Sequence, residues 1–176
     1  NAGRIALEYL ARTGDFDEWK EDTKANAHVS RGEIGATNVV LVAPDTFMNK
    51  SGGAVAKFVK SAKAAERMIV VYDDLDLPLG KMKLSFDRGS GGHHGLESVM
   101  RAVKTKKFLR VRIGVSKTTP GGKTKKPNGE EEVIDFILAA FKPAERDILD
   151  KTCTDVAHAI EVAVTKGREI AMNECN

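Results

Sequence analysis

At 176 residues the chain is long enough for one domain with a real core. It is 41% hydrophobic and 30% charged, as ordinary globular domains are, and no apolar run approaches the ~20 residues that span a bilayer. A net charge of +3 does not by itself announce a polyanion partner, and two cysteines, Cys153 and Cys175, exclude a disulfide framework.

Ala2, Ile5, Ala6, Tyr9 and Leu10 recur at helical spacing, which predicts a helix over 2–12. Thr13-Gly14-Asp15 ends it, and Phe16 and Trp19 read as core anchors in a polar stretch. A short strand is expected around Ala27–Arg31, with His28 at the surface. Asn38–Ala43 reads as a buried strand stopped by Pro44. The stretch from Asp45 to Gly52 feeds a helix striped by Val55, Phe58, Val59 and Ala62, with Ser51 or Asn49 as its cap. Met68–Val71 opens a second strand that ends at Asp73. Strand–helix–strand order predicts that it runs parallel to the first. After a turn at Pro78-Leu79-Gly80, residues 81–86 alternate as a partly exposed antiparallel strand. Leu96, Val99, Met100 and Val103 predict a helix from near Gly95, and Phe108–Val115 is a further strand. Residues 116–128 form a basic loop insertion, and Glu130–Leu138 a short helix with an acidic first turn. Pro143 starts the last helix, lined by Leu149, Cys153, Val156, Ile160 and Val164, with a break at Gly167 and His158 off the stripe. The fold class is α/β: one domain over 1–176, a twisted mixed β-sheet flanked by helices.

Chemistry concentrates between Met68 and Met100. Asp73 sits at a strand end, the usual ligand crevice of an open α/β sheet, where a carboxylate can orient an imidazole. Gly89, Gly91, Gly92 and Gly95 surround the paired imidazoles of His93 and His94, and such a loop lets backbone approach a bulky ligand. The chain holds no G-x-S-x-G elbow, Walker A motif or G-x-G-x-x-G fingerprint. Acidic residues are absent from Arg101 to Asn128, a block that suits phosphate contacts. An Asp/His/Asn set beside a basic surface fits water-based hydrolysis of a substrate carried on a polyanion. It equally fits plain RNA binding, and the residues alone do not choose.

Four stretches carry a resemblance: Phe47-Met48-Asn49-Lys50-Ser51-Gly52, Tyr72-Asp73-Asp74-Leu75-Asp76-Leu77-Pro78, Gly91-Gly92-His93-His94-Gly95-Leu96 and Arg110-Val111-Arg112-Ile113-Gly114. In order and interval they resemble bacterial-type peptidyl-tRNA hydrolase. The resemblance implies a single α/β domain that cleaves the ester between a peptide and the 3′-terminal ribose of tRNA, with no cofactor and no metal. It implies that Asp73 holds a general-base histidine, and that Asn49 contacts substrate and places water. His93 matches a loop histidine near the site. Phe47 and Met48 match the pocket for terminal adenosine and peptide, Gly92 and His94 face substrate, and Lys83 and Arg112 contact tRNA phosphates. The implied partner is peptidyl-tRNA, through its acceptor stem and 3′ end. A cytoplasmic monomer without membrane association is expected, or an organellar protein if a preceding segment carried a signal.

Two departures stand out. His94 replaces an asparagine, and Tyr72 and Asp74 replace histidine and glutamate. Asn1-Ala2-Gly3 matches only the end of the family's opening run, whose general-base histidine falls immediately before Asn1. The expectation is therefore an N-terminally incomplete part of a longer chain. Two other readings stay open: a non-catalytic RNA-binding relative, similar to organelle splicing factors of this fold, and a hydrolase for another small ester.

Overall fold

The structure is a computed structural model. It describes residues 1–119, 124, 125, 127, 129, 132, 133, 135, 136 and 139–176. Helix α1 (Ala2–Thr13) starts where the Asn1 side-chain oxygen accepts from the Arg4 amide at 3.0 Å. It buries Ala2, Ala6 and Leu10. Gly3 allows its close approach to the sheet, since a Cβ there would lie 2.5 Å from the Val71 carbonyl oxygen.

The strands form two sheets among the described residues. In the first, β3 (Ala27–Ile34) pairs antiparallel along its whole length with β4 (Thr37–Pro44). The short β1 (Asp15–Phe16) and β2 (Lys20–Asp22) take its other edge. In the second, β7 (Leu109–Thr118) is central, parallel to β5 (Ile69–Pro78) and antiparallel to β6 (Met82–Phe86). The mixed α/β class is as expected. The parallel pairing expected between 38–43 and 68–73 is not what forms: β4 pairs with β3, and β5 with β7. A short turn after Ile34 lets β3 take β4 as its antiparallel hairpin partner, and the parallel crossover forms instead from β5 to β7, with β6 and the helix His94–Val103 between them in sequence.

Alternating side chains send each strand's residues to opposite faces. Ile69, Val71, Val111 and Ile113 pack with α1 and with Leu149, Cys153, Val156 and Ile160 of α5 (Pro143–Thr165). Each such buried aliphatic side chain contributes roughly 1.5–3 kcal/mol. Burial pushes the Cys153 thiol up to about 11, as befits a core residue rather than a nucleophile. The other face of β5 and β7, with Val70, Tyr72 and Phe108, packs on Leu96, Val99 and Val103 of α4 (His94–Val103). Gly167 does break the terminal helix, and α6 (Arg168–Glu174) follows. There the Arg168 guanidinium lies 3.9 Å over the Phe86 ring, and Asn176 accepts from the Leu84 amide at 2.6 Å through its side-chain oxygen.

Other expectations shift. Helix α2 (Ser51–Phe58) stops short of Val59, which is extended, and Ser61 caps a separate turn, α3 (Ala62–Ala65), by accepting from the Ala64 amide. Neither Asn49 nor Ser51 caps α2. Asn49 lies within a 3₁₀ turn over Met48–Lys50, and the Ser51 hydroxyl donates back to the Met48 carbonyl at 2.8 Å. Strand β5 does not end at Asp73; it continues to Pro78 through a register irregularity after Asp74. Within the insertion at 116–128, Thr124–Lys125 forms β8, paired to the end of β7. Pro120 to Lys123, Lys126 and Asn128 of that insertion lie outside the described residues, as do Glu130, Glu131, Ile134, Ile137 and Leu138 of the helix expected over Glu130–Leu138.

Candidate active site

The start of α1 lies against β5 at Val71 and Tyr72, the glycine loop ahead of α4 reaches Tyr72 through His93, and the turn Met48–Lys50 packs on the start of α4. Asp73 is 7% exposed and shares the α1-facing side of β5 with Val71. It lines a cavity with Asn1, Ala2, Val115, Lys117 and Phe141. Tyr72 and Asp74 point to the opposite face. There the Arg112 Nε donates to Asp74 Oδ2 at 2.6 Å, and Lys83 is the exposed cross-strand neighbour of Arg112. Arg112 is thus a half-buried ion-pair partner as well as a surface cation.

His93 lies on the Tyr72 face, its ring edge-on to Tyr72 with centroids 4.9 Å apart. Its Nδ1 accepts from the Leu96 amide at 3.2 Å, which makes it the N-cap of α4. The ring proton therefore belongs to Nε2, which is buried without a hydrogen-bond partner. Burial holds the His93 pKa below the ordinary imidazole value, although the Asp73 charge works the other way. Asp73 and His93 are electrostatic neighbours, not hydrogen-bond partners, because β5 separates them onto its two faces.

His94 is exposed at the first turn of α4, with Nδ1 3.4 Å from Glu97 Oε2. The Ser90 hydroxyl donates to the other Glu97 oxygen at 3.0 Å and accepts from the Gly92 amide at 3.2 Å. Gly91 and Gly92 take φ of +63° and +82°, a conformation that favours glycine. The Met48 side chain reaches the root of this loop: a Cβ on Gly95 would lie 2.8 Å from Met48 Cγ. Behind it the Gly52 amide donates to the Ser98 hydroxyl at 3.0 Å, fastening α2 to α4. The loop bearing Phe47, Met48 and Asn49 and the loop bearing His93 and His94 thus form one lip. Phe47 is 80% exposed at its edge, and Asn49 is exposed beside it.

A family model described as peptidyl-tRNA hydrolase matches residues 1–176. The chain is 35% identical over 181 residues to peptidyl-tRNA hydrolase of Aquifex aeolicus, covering 100% of this chain and 86% of that protein. It is 37% identical over 177 residues to the Carboxydothermus hydrogenoformans protein of the same name, covering 100% and 88%. Its fold is similar to the crystal structure of Acinetobacter baumannii peptidyl-tRNA hydrolase, with a TM-score of 0.85 at 28% identity, over 100% of this chain and 85% of that one. The chain belongs to the peptidyl-tRNA hydrolase family.

Family membership fits what the motifs imply. It does not point to the side chains that sequence reasoning missed. Asp45 accepts from Arg4 Nη2 at 2.8 Å and from His28 Nδ1 at 2.7 Å, tying α1, β3 and the Phe47–Asn49 loop together. The Arg4 bond, helped by His28, holds its carboxyl below the usual range. No spacing rule joins positions 4, 28 and 45. Arg110 lies within the basic block but is 1% exposed.

His93 gives a pH prediction. Its folded pKa is depressed, so its contribution to stability is present above the unfolded imidazole value of about 6.5 and is lost as pH falls through the folded value. Protonation also removes the Nδ1 acceptor that caps α4. An NMR titration of the His93 ring is expected to give a midpoint below ~6.5. His93→Asn, which retains a capping oxygen, should remove that acid-side step; a midpoint at or above the free value would contradict the assignment.

Proposed function

We propose that this site hydrolyses the ester joining a peptide to the 3′-terminal ribose of tRNA, returning the tRNA to translation. The observation that carries the proposal is the family match over the whole chain. The matching of Asn49, Asp73 and His93 to family motif positions supports it. Water attacks the ester carbonyl, the tetrahedral oxyanion collapses, and the ribose 3′-oxygen leaves with a proton.

Asp73 orients and charge-stabilises the general-base histidine, which the family pattern puts one position before Asn1; the shared cavity of Asn1, Ala2 and Asp73 supports this pairing. Asn49 places the water and the carbonyl. Phe47 and Met48 supply apolar surface for the terminal adenosine and peptide. Exposed Gly92 and the exposed His94 imidazole face the substrate, and His93 acts as a neutral cap that sets their position. Lys83, with Arg112 beside it, takes phosphates of the acceptor stem. The working form is a monomer in the cytoplasm. Among the described residues no helix is long and apolar enough to cross a membrane.

The test is release of peptide from a model N-blocked aminoacyl-tRNA by the full-length protein. Release is expected, with KM rising steeply as salt is added. Tight tRNA binding without release would favour the RNA-binding reading, and cleavage of small esters with no preference for tRNA would favour the third. The relatives reported above all carry the hydrolase name, which supports the first.

A further inference from the structure

Arg110 is the second residue of the central strand β7, opposite Val70 of β5, with its side chain on the α4-facing side. Among the described residues it is the largest fully buried side chain, at 1% exposure. Its Nη1 donates to the Gly89 carbonyl at 2.6 Å, and its Nη2 donates to the Arg88 carbonyl and lies 3.8 Å from the Met100 sulfur. Its guanidinium stands 4.9 Å over the Phe108 ring, and its Nε is buried without a partner. Among the described residues no carboxylate bonds to it.

A cation withdrawn from water is tolerated only while its hydrogen-bond acceptors stay in place. Here the acceptors include two successive backbone carbonyls at the root of the glycine loop, with the Tyr72 hydroxyl beside them. Asp87, just before them, has a left-handed φ of +53°, so the chain turns sharply onto the arginine. Past the root and the Ser90–Glu97 bond, a Cβ on Gly91 or Gly92 would meet nothing within 4 Å. The root is clamped and the tip is open, and the tip leads directly to His93 and His94.

We propose that Arg110 is a positioning residue for the hydrolytic reaction, holding the glycine-loop root from beneath so that the Gly92–His94 tip presents one geometry to the substrate. This rests on the function proposed above. Arg110 touches no substrate; it acts through two carbonyls. An ammonium has no planar fork to span both, so lysine is not an equivalent replacement.

The experiment compares Arg110→Lys, His94→Ala and the double variant in the full-length protein, with a model N-blocked aminoacyl-tRNA and with NMR of the His94 ring. Arg110→Lys is expected to shift or broaden the His94 resonance and to lower kcat/KM about 10²-fold, the scale of a ~1 Å misplacement. The double variant should then be little worse than the worse single one, because both act through the same tip. Multiplying effects, or an unmoved His94 signal, would overturn the proposal. If Arg110→Lys does not fold, one glycine inserted after Gly89 disconnects tip from root on an exposed loop and must reproduce the His94 shift and the rate loss; an insertion without effect also overturns it. If the wild type releases no peptide, the function reading fails, while the His94 resonance still decides the clamp.

Discussion

Asp73→Asn in the full-length protein should lower kcat about 10³-fold while leaving tRNA affinity within ~2-fold. The replacement is isosteric, so the packing around it is retained. In the proposed mechanism it removes the negative charge that would stabilise an imidazolium forming beside it, and its amide nitrogen would donate where the carboxylate accepts. The site magnifies the loss. Asp73 is buried on a face shared with Val71 and paired across the sheet with Ile113, where charge interactions are less screened than in water. It lies on the far side of β5 from Arg112 and Lys83, the candidate phosphate contacts, so binding should be spared. Single-turnover release and a filter-binding titration separate the two effects. Lost binding with an intact chemical step would eliminate the assigned role.

Gly52→Ala should destabilise the domain by about 1–3 kcal/mol, the usual scale of overpacking. For a chain of this size that is a fall in Tm of roughly 2–12 °C. A Cβ at Gly52 would lie 2.6 Å from the Ser98 carbonyl carbon and 2.9 Å from the Ala102 side chain. Most of that obstruction is backbone of α4, which cannot rotate aside. The helices must separate, and the Met48–Lys50 turn moves with α2, carrying Asn49 away from the glycine loop. We expect kcat/KM to fall with Tm. Gly53→Ala is the matched control, since a Cβ there meets nothing within 4 Å; it should be neutral or stabilising by up to ~1 kcal/mol. Equal melting temperatures for the two variants would show that the α2–α4 approach is not the constraint.

The elements whose pattern is local were legible. The apolar spacing of Ala2, Ala6 and Leu10 gave α1, and the alternation of Met82, Leu84 and Phe86 gave β6. What escaped depends on contacts distant in sequence. Strand β5 runs on through Asp74, Leu75 and Asp76 because Arg112 neutralises Asp74 and the Ser116 hydroxyl donates to the Leu75 carbonyl at 2.7 Å. Carboxylates in a row read as a strand end without those partners. Helix α2 ends early because Val59 turns extended and Ser61 starts a new turn, a local signal that the apolar stripe masked. For the candidate site, the motifs named the lip residues but not its division by β5. Nor did they distinguish His93, a neutral cap, from His94, exposed beside it. Arg110 read as one more surface cation because charge along a strand carries no sign of depth.

The contact between Asn176 and Leu84 bears on how this protein behaves in a crowded solution. Strand β6 is at an edge, and an outward amide on an edge strand is a template on which a second chain can add its own strand. The Asn176 carboxamide supplies the carbonyl that such a stranger would bring, and its own nitrogen is secured on the Met172 carbonyl at 2.8 Å. The exposed Lys81 and Lys83 add charge along the same strip. A single amide at the end of α6 thus plugs the position where sheet-to-sheet aggregation would begin.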